Sequence, residues 1–172
     1  SVAYCPESNL KLASGFCPAE KLRRAGVNLA IGTDGCASNN DLAMFGEMRT
    51  AALLAKGVAN DASAFDAACA LHAATLAGAH ALGWSERIGS IETGKQADLV
   101  ALRLGDIETQ PLYNVISQLV YAASRYQVSD VWIAGQRKLR NRELVDLDIA
   151  ELRTKAQRWR ERLHVLPRRT GD

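Results

Sequence analysis

Val27-Asn28-Leu29-Ala30-Ile31 is a short apolar run that ends without a break on Gly32-Thr33-Asp34-Gly35. Few architectures accommodate a strand of this kind. A run that is apolar along its length is covered on both faces, as strands of a parallel sheet are when crossover helices pack on each side. The neighbouring sequence supplies those helices. Pro18 stands where a helix tolerates proline, in its first turn, and residues 19–25 continue a helix that Gly26 stops. Upstream, residues 2–5 form another short strand-like run. Downstream, Asn40 and Asp41 can cap a helix whose Leu42, Phe45, Met48 and Ala52 recur at helical spacing as far as Gly57. A further helix is expected from Ser63, with Asp66 three residues on and Phe65, Ala68 and Leu71 along it, and residues 75–82 add a turn or two before Gly83. Residues 1–86 thus alternate strand and helix, an α/β pattern with a parallel sheet. Asp34 falls at the carboxyl end of a buried strand, the side on which parallel α/β folds build their sites.

Beyond Trp84 the texture changes to short β segments. Residues 88–91 lead through Glu92-Thr93-Gly94-Lys95 into residues 97–102, which predicts one hairpin. Residues 129–134, a turn at Gly135-Gln136 and residues 137–139 predict a second. Ile149, Leu152, Ala156, Trp159 and Leu163 follow at intervals of three or four, so the last segment is expected to be an amphipathic helix packed by its apolar stripe. Its Lys155, Arg158, Arg160 and Arg162 suit a solvated face better than an acidic partner.

The 172 residues carry a formal net charge of +2, with 48% hydrophobic and 23% charged residues. That balance argues against disorder and against strong polyanion binding, so no nucleic-acid partner is expected. No apolar run reaches the roughly 18 residues of a membrane span, and no signal-peptide zones precede the first strand. A cytoplasmic protein without a membrane partner is the expectation. Cys5, Cys17, Cys36 and Cys69 lack a Cys-x-x-Cys pair and are expected to be reduced thiols in packed positions. Because Ser1 opens almost directly on a strand, the chain is expected to begin in the middle of a fold.

The densest small and polar cluster is Gly32-Thr33-Asp34-Gly35-Cys36-Ala37-Ser38-Asn39-Asn40. On these residues alone, Asp34 is either a carboxylate placed to bind a cation, its glycines allowing close backbone approach, or a turn residue that caps the next helix. Residues 6–15, read as a loop after the first strand, would face the same cleft. Ser8, Asn9, Ser38 and Asn39 suit loop hydrogen bonding, with shaping the cleft or orienting Asp34 as the second possibility. His72, His80 and His164 fall on helices or the tail, away from strand ends, and are not read as metal ligands.

Ser8-Asn9-Leu10-Lys11-Leu12-Ala13-Ser14-Gly15, followed after one helix by Gly32-Thr33-Asp34-Gly35-x-x-Ser38-Asn39-Asn40-Asp41-Leu42, resembles the amidohydrolase superfamily. It is most similar to the branch of methylthioadenosine/S-adenosylhomocysteine deaminases, guanine-type deaminases and triazine hydrolases. Residues 73–83 and 88–100 extend the likeness. The resemblance implies the C-terminal part of a (β/α)8 metal-dependent hydrolase barrel plus strands of a composite β-sandwich and a C-terminal helix. Residues 1–86 would be the last barrel strands and helices, 87–145 the sandwich segment and 146–172 the terminal helix and tail.

The resemblance also implies an activity: hydrolytic deamination of a purine-like heterocycle, an adenosine derivative or guanine type, by a metal-activated water that attacks the amino-bearing ring carbon. Asp34 takes the family's aspartate position, as metal ligand and as the base that accepts the water's proton. The metal would be divalent, zinc with iron as the alternative. Its other ligands, a His-x-His pair among them, have no match in this chain, which is expected to be inactive alone. The implied partners are a small heterocyclic substrate and an N-terminal segment of the same enzyme, and a homodimer is left open. Triazine dechlorination and cytosine-type deamination are sibling alternatives. A non-catalytic interaction module or degenerate fragment is the alternative of another class.

Overall fold

The computed structural model describes residues 1–164; the tail assigned to residues 165–172 lies outside the described residues. The element order begins β1 (Val2–Tyr4), α1 (Pro6–Lys11), α2 (Ala19–Arg24), β2 (Leu29–Ile31), α3 (Cys36–Asn39), α4 (Met44–Ala59), α5 (Ala67–Ala74) and α6 (Leu76–Ala81). β1 and β2 pair in parallel, Val2 opposite Leu29 and Tyr4 opposite Ile31, so both strands end on the same side. All three β2 residues are buried. Tyr4, Leu29 and Ile31 pack with Met48, Ala51, Ala52 and Ala55 of α4, with Phe65, and with Ala70 and Ala73 of α5. The run of alanines on α4 and α5 lets these helices lie close to the strands, where longer side chains would hold them off.

Several expected boundaries shift. Pro18 is the residue before α2 and not within its first turn. Residues 6–15 are not all loop, because Pro6–Lys11 forms α1 with its proline at the helix start and Lys11 in the last turn. The helix expected from Ser63 begins at Ala67, since Asp66 itself is the cap and accepts the Cys69 N–H at 2.9 Å. Asp41 does not cap α4 from the flanking position, although its Oδ1 accepts the Ala43 N–H at 3.1 Å just before the helix.

The second sheet is antiparallel, ordered β3 (Leu99–Leu102), β4 (Val128–Ile133), β5 (Gln136–Arg140) and β6 (Glu143–Leu144). β4 and β5 form the hairpin expected over residues 129–139. The other hairpin does not form: residues 88–91 are not a strand, and β3 pairs with β4 instead. Between β3 and β4 lies α7 (Val115–Tyr121), capped by the Asn114 side chain, which packs its Val120 into the first core. The sequence predicts no helix there, only part of the 87–145 sandwich segment. α8 (Ile149–His164) forms as expected, but its stripe is not packed: Trp159 and Leu163 are 60% and 61% exposed, and Ile149 and Leu152 are exposed too. No helix among the described residues is long and apolar enough to cross a membrane.

Candidate active site

β1 and β2 both deliver their chains to one end of the parallel pair, and the two segments that follow them meet there. Asp34, three residues beyond Ile31, is exposed and has a φ of 60°, the left-handed region that costs a residue with a Cβ. Asn40 and Leu42 share that region, at 78° and 51°. The leucine side chain cannot hydrogen-bond the local backbone to offset the cost, so the segment from 34 to 42 is held in shape by bonds from other residues.

Much of that hold converges on Asp34. The Ser8 hydroxyl, from α1, donates to its Oδ2 at 2.8 Å, and the Ser38 hydroxyl, from α3, donates to the same oxygen at 2.7 Å. Ser8 is buried, so its side chain is fixed before it reaches Asp34. The hydroxyls of Ser38 and Ser8, with the Gly35 backbone, hold the Asp34 carboxyl below the ordinary aspartate range, and it is ionised at neutral pH. Neither hydroxyl bonds Oδ1. One oxygen is thus tied to the protein while the carboxylate stays exposed, an arrangement that suits a ligand oriented by hydrogen bonds on its other atom.

Around Asp34 the segment is pinned at further points. Lys11 donates through Nζ to the Ala37 carbonyl at 2.7 Å and also bonds Asn40 Oδ1. Arg125, more than eighty residues away, bonds the Asp41 carboxylate. Glu47, in the first turn of α4, is fully buried and takes the Glu7 N–H at 3.2 Å and the Asn39 side-chain amide at 2.5 Å. Burial pushes its carboxyl up to about 7, with Glu7 and Asp41 adding like charge. Cys5 lies beside the cluster; burial and then the charges of Asp34 and Glu47 raise its thiol, so it is not an activated nucleophile.

Asp34 is placed as the sequence led one to expect, at a strand end. Ser8 and Ser38 orient it, which the sequence reading had ranked second to ordinary loop hydrogen bonding. Ser38, four residues after Asp34, and Ser8, in the segment following the parallel partner strand, were the available signal. Glu47 was missed altogether: between Phe45 and Met48 it reads as a solvent-facing helix residue. His72 and His80 lie exposed on α5 and α6. Cys36 is exposed, contrary to the packed position expected of it, while the other three cysteines are partly buried and all four are free. Among the described residues no group of three or more His, Cys, Asp or Glu side chains is arranged to hold a metal ion.

A helix-flanked parallel pair with an oriented carboxylate at its carboxyl end is an arrangement on which parallel α/β folds build their sites, and the comparisons give the chain its family. The pattern of the amidohydrolase family matches residues 1–138, and the chain belongs to that family. It is 50% identical over 162 residues to the 5-methylthioadenosine/S-adenosylhomocysteine deaminase of Teredinibacter turnerae, covering 94% of this chain and 37% of that enzyme. The corresponding deaminase of Saccharophagus degradans is 44% identical over 164 residues, with 95% and 37% covered. Among solved structures, a zinc-bound adenosine deaminase from Xanthomonas campestris superposes with a TM-score of 0.94 at 68% identity, over 96% of this chain and 38% of that one. The zinc complex of atrazine chlorohydrolase from Arthrobacter aurescens gives 0.83 at 25% identity, over 92% and 35%. The chain thus spans a little over a third of the length of the relatives it matches.

Proposed function

We propose that this chain is the C-terminal portion of a metal-dependent aminohydrolase that deaminates a purine-like heterocycle of the adenosine type, with Asp34 as metal ligand and proton-transfer group. Residues 1–86 would close a (β/α)8 barrel, 87–145 would join a composite β-sandwich, and 146–172 would be the terminal helix and tail. The observation that carries the reading is Asp34 itself: ionised, at the carboxyl end of β2, with Oδ2 fixed by Ser8 and Ser38. The 68% identity to a zinc-bound deaminase, against 25% to the triazine hydrolase, favours deamination over dechlorination; both of those proteins hold zinc, which supports a divalent metal here. A preceding segment of the same enzyme would bring the remaining ligands. The free cysteines suit a cytoplasmic enzyme.

The metal, when bound, supplies the Lewis acidity that lowers the pKa of water toward neutrality. The residues of this chain do the rest of what falls to them. Asp34, ionised, accepts a proton from the water as its oxygen adds to the amino-bearing ring carbon. It then returns that proton to the departing nitrogen as the carbon–nitrogen bond breaks and ammonia leaves; the ring nitrogen beside the attacked carbon takes up one proton during the addition and the hydroxyl on that carbon gives one up, so the product is a ring carbonyl beside a protonated ring nitrogen. Ser8 and Ser38 keep the carboxylate aimed through both transfers, and their hydrogen bonds to the anion hold it unprotonated before the water is delivered.

The test is Asp34→Asn in the full-length, zinc-loaded protein, with ammonia release followed on adenosine-type and guanine-type compounds. The amide keeps the shape but cannot take the proton, so turnover should fall at least ~100-fold. Turnover close to that of the native enzyme would refute the role. Chloride release from a triazine without ammonia release from a purine would transfer the activity to the sibling reaction.

A further inference from the structure

We propose that Glu47 is a positioning residue of the site, a buried clamp that sets the Asp34 carboxylate by holding, one residue away from each, the two serines that orient it. The inference rests on the reading of Asp34 given above and names a residue which that reading does not use.

Four hydrogen bonds make the case. Glu47 Oε2 accepts the backbone N–H of Glu7, whose neighbour Ser8 donates to Asp34 Oδ2. Glu47 Oε1 accepts the side-chain amide of Asn39, whose neighbour Ser38 donates to the same Asp34 oxygen. The bonds close a ring: from Glu47 to the segment after β1, to Asp34, to the segment after β2, and back. Asn39 extends its hold by accepting the Leu42 N–H at 2.7 Å, at the residue forced to positive φ. The close seating of α1 on α4 has a further mark in Gly46, where a Cβ would fall 2.7 Å from Glu7 Oε1, and Thr50 donates to that same oxygen at 3.0 Å.

The chemistry of the side chain explains why a glutamate is used. The two donors come from different segments and approach different oxygens, so the clamp needs two acceptors at the end of a side chain of this length. Glutamine offers one acceptor and turns an amide toward the Glu7 N–H; leucine or methionine offers none. The choice has a cost: Glu47 is fully buried, faces Glu7 and Asp41, and has no cationic partner among the described residues. A carboxylate so placed destabilises the fold relative to an apolar residue of the same volume. A purely structural position would not need it, whereas a clamp that fixes two segments at once does.

The test is a double-mutant cycle in the full-length zinc-loaded enzyme, comparing Glu47→Gln in the native background and in Ser8→Ala/Ser38→Ala. If Glu47 acts through the serines, Glu47→Gln should lower kcat about 10-fold or more, since small misplacements of a catalytic group are costly. KM should stay within about twofold, because no substrate contact is lost. Zinc affinity, read by chelator competition, should fall ~10-fold or more. In the serine-free background the same substitution should cost less than about twofold in both quantities. Asn39→Ala, which opens one arm from the surface side, should move kcat and zinc affinity in the same direction by less, and it decides the matter if Glu47→Gln does not fold. Effects that simply multiply across the two backgrounds, or an Asn39→Ala enzyme with native kcat and zinc affinity, overturn the proposal. An active Asp34→Asn enzyme sinks the functional reading, whereas an inactive Asp34→Asn enzyme beside a fully native Glu47→Gln enzyme sinks only the clamp.

Discussion

The two ends of α4 each meet a buried glutamate, and they solve the problem of burying a charge in opposite ways. Near the C-terminal end, Glu20 of α2 is surrounded by cations: Arg23 and Arg24 bond its carboxylate at 2.7 and 2.6 Å, and Arg24 reaches on to Asp61 at 3.1 Å. Glu20 also takes the buried N–H of Phe65 at 3.0 Å, which fixes a residue whose φ is 39°. The Arg23 hydrogen bonds lead in holding its carboxyl down, at about 2. Near the N-terminal end, Glu47 is more deeply buried, has two N–H donors and no cation, and its carboxyl rises to about 7. A neutralised carboxylate ties helices together at one end, and an uncompensated one stands beside the site at the other. The electrostatically costly arrangement stands one residue from each of the two serines that bond Asp34.

The comparison is tested most severely by removing Glu20. Glu20→Ala leaves the Phe65 N–H buried without an acceptor and the two guanidinium groups without their partner, so urea unfolding of the full-length protein should lose ~1–3 kcal/mol. A loss as small as that of a surface substitution would mean the Arg23–Glu20–Arg24 cluster is decoration. Because its folded pKa is depressed, the stability Glu20 contributes is complete above the unfolded value of 4.5 and should drain away as pH falls toward about 2.

Glu47 should show the opposite pH sign. Its folded pKa is raised, so its contribution is greatest below the unfolded value of 4.5 and is lost as pH rises through about 7. The charges of Glu7 of α1 and Asp41 press in that direction, the hydrogen bonds from the Glu7 N–H and the Asn39 amide oppose it, and the neighbouring Tyr4 and Cys5 of the β1 segment, both raised, are uncharged across this range. Glu47→Gln should remove this slope, which can reach at most about 1.4 kcal/mol per pH unit, from the stability profile between pH 4.5 and 7. An unchanged profile in the variant would show that Glu47 is not the group that titrates.

The contrast between the ends of α4 also shows what the sequence could and could not reveal. Asp34 was legible because an apolar strand ran straight into its glycines, and the β4–β5 hairpin because Gly135 sits between two alternating runs. α1 was not, since six residues containing Ser8 and Asn9 have too little periodicity to separate a helical turn from a polar loop. The hairpin expected from residues 88–91 failed because strand character is settled by the partner that offers its edge, and β4 offers it to β3. α8 formed, yet the burial of its stripe depends on a surface the helix does not find among the described residues. Glu20 and Glu47 look alike in sequence, as charged residues on amphipathic helices. Only the fold, by bringing Arg23 and Arg24 to one and Glu7 and Asn39 to the other, makes them different.

The smallest expected effect is at Arg125, and it asks how far the hold on Asp34 extends. Arg125 bonds the Asp41 carboxylate and, at 3.3 Å, its carbonyl, joining the segment after β2 to the start of β4. Both partners are about half exposed, at 48% and 50%. Solvent screens such a pair, so Arg125→Ala should cost only ~0.2–1 kcal/mol of stability, and less at high salt. If the ring through Glu47 is what fixes Asp34, loosening this outer tie should leave kcat and zinc affinity of the full enzyme within about twofold of native, because Asn39 remains anchored to Glu47 of α4 and Ser38 still bonds Asp34. A tenfold fall in either would mean that the antiparallel sheet, through Arg125, positions the carboxylate as much as α4 does. The difference between the two ends of α4 would then need a third region to explain it.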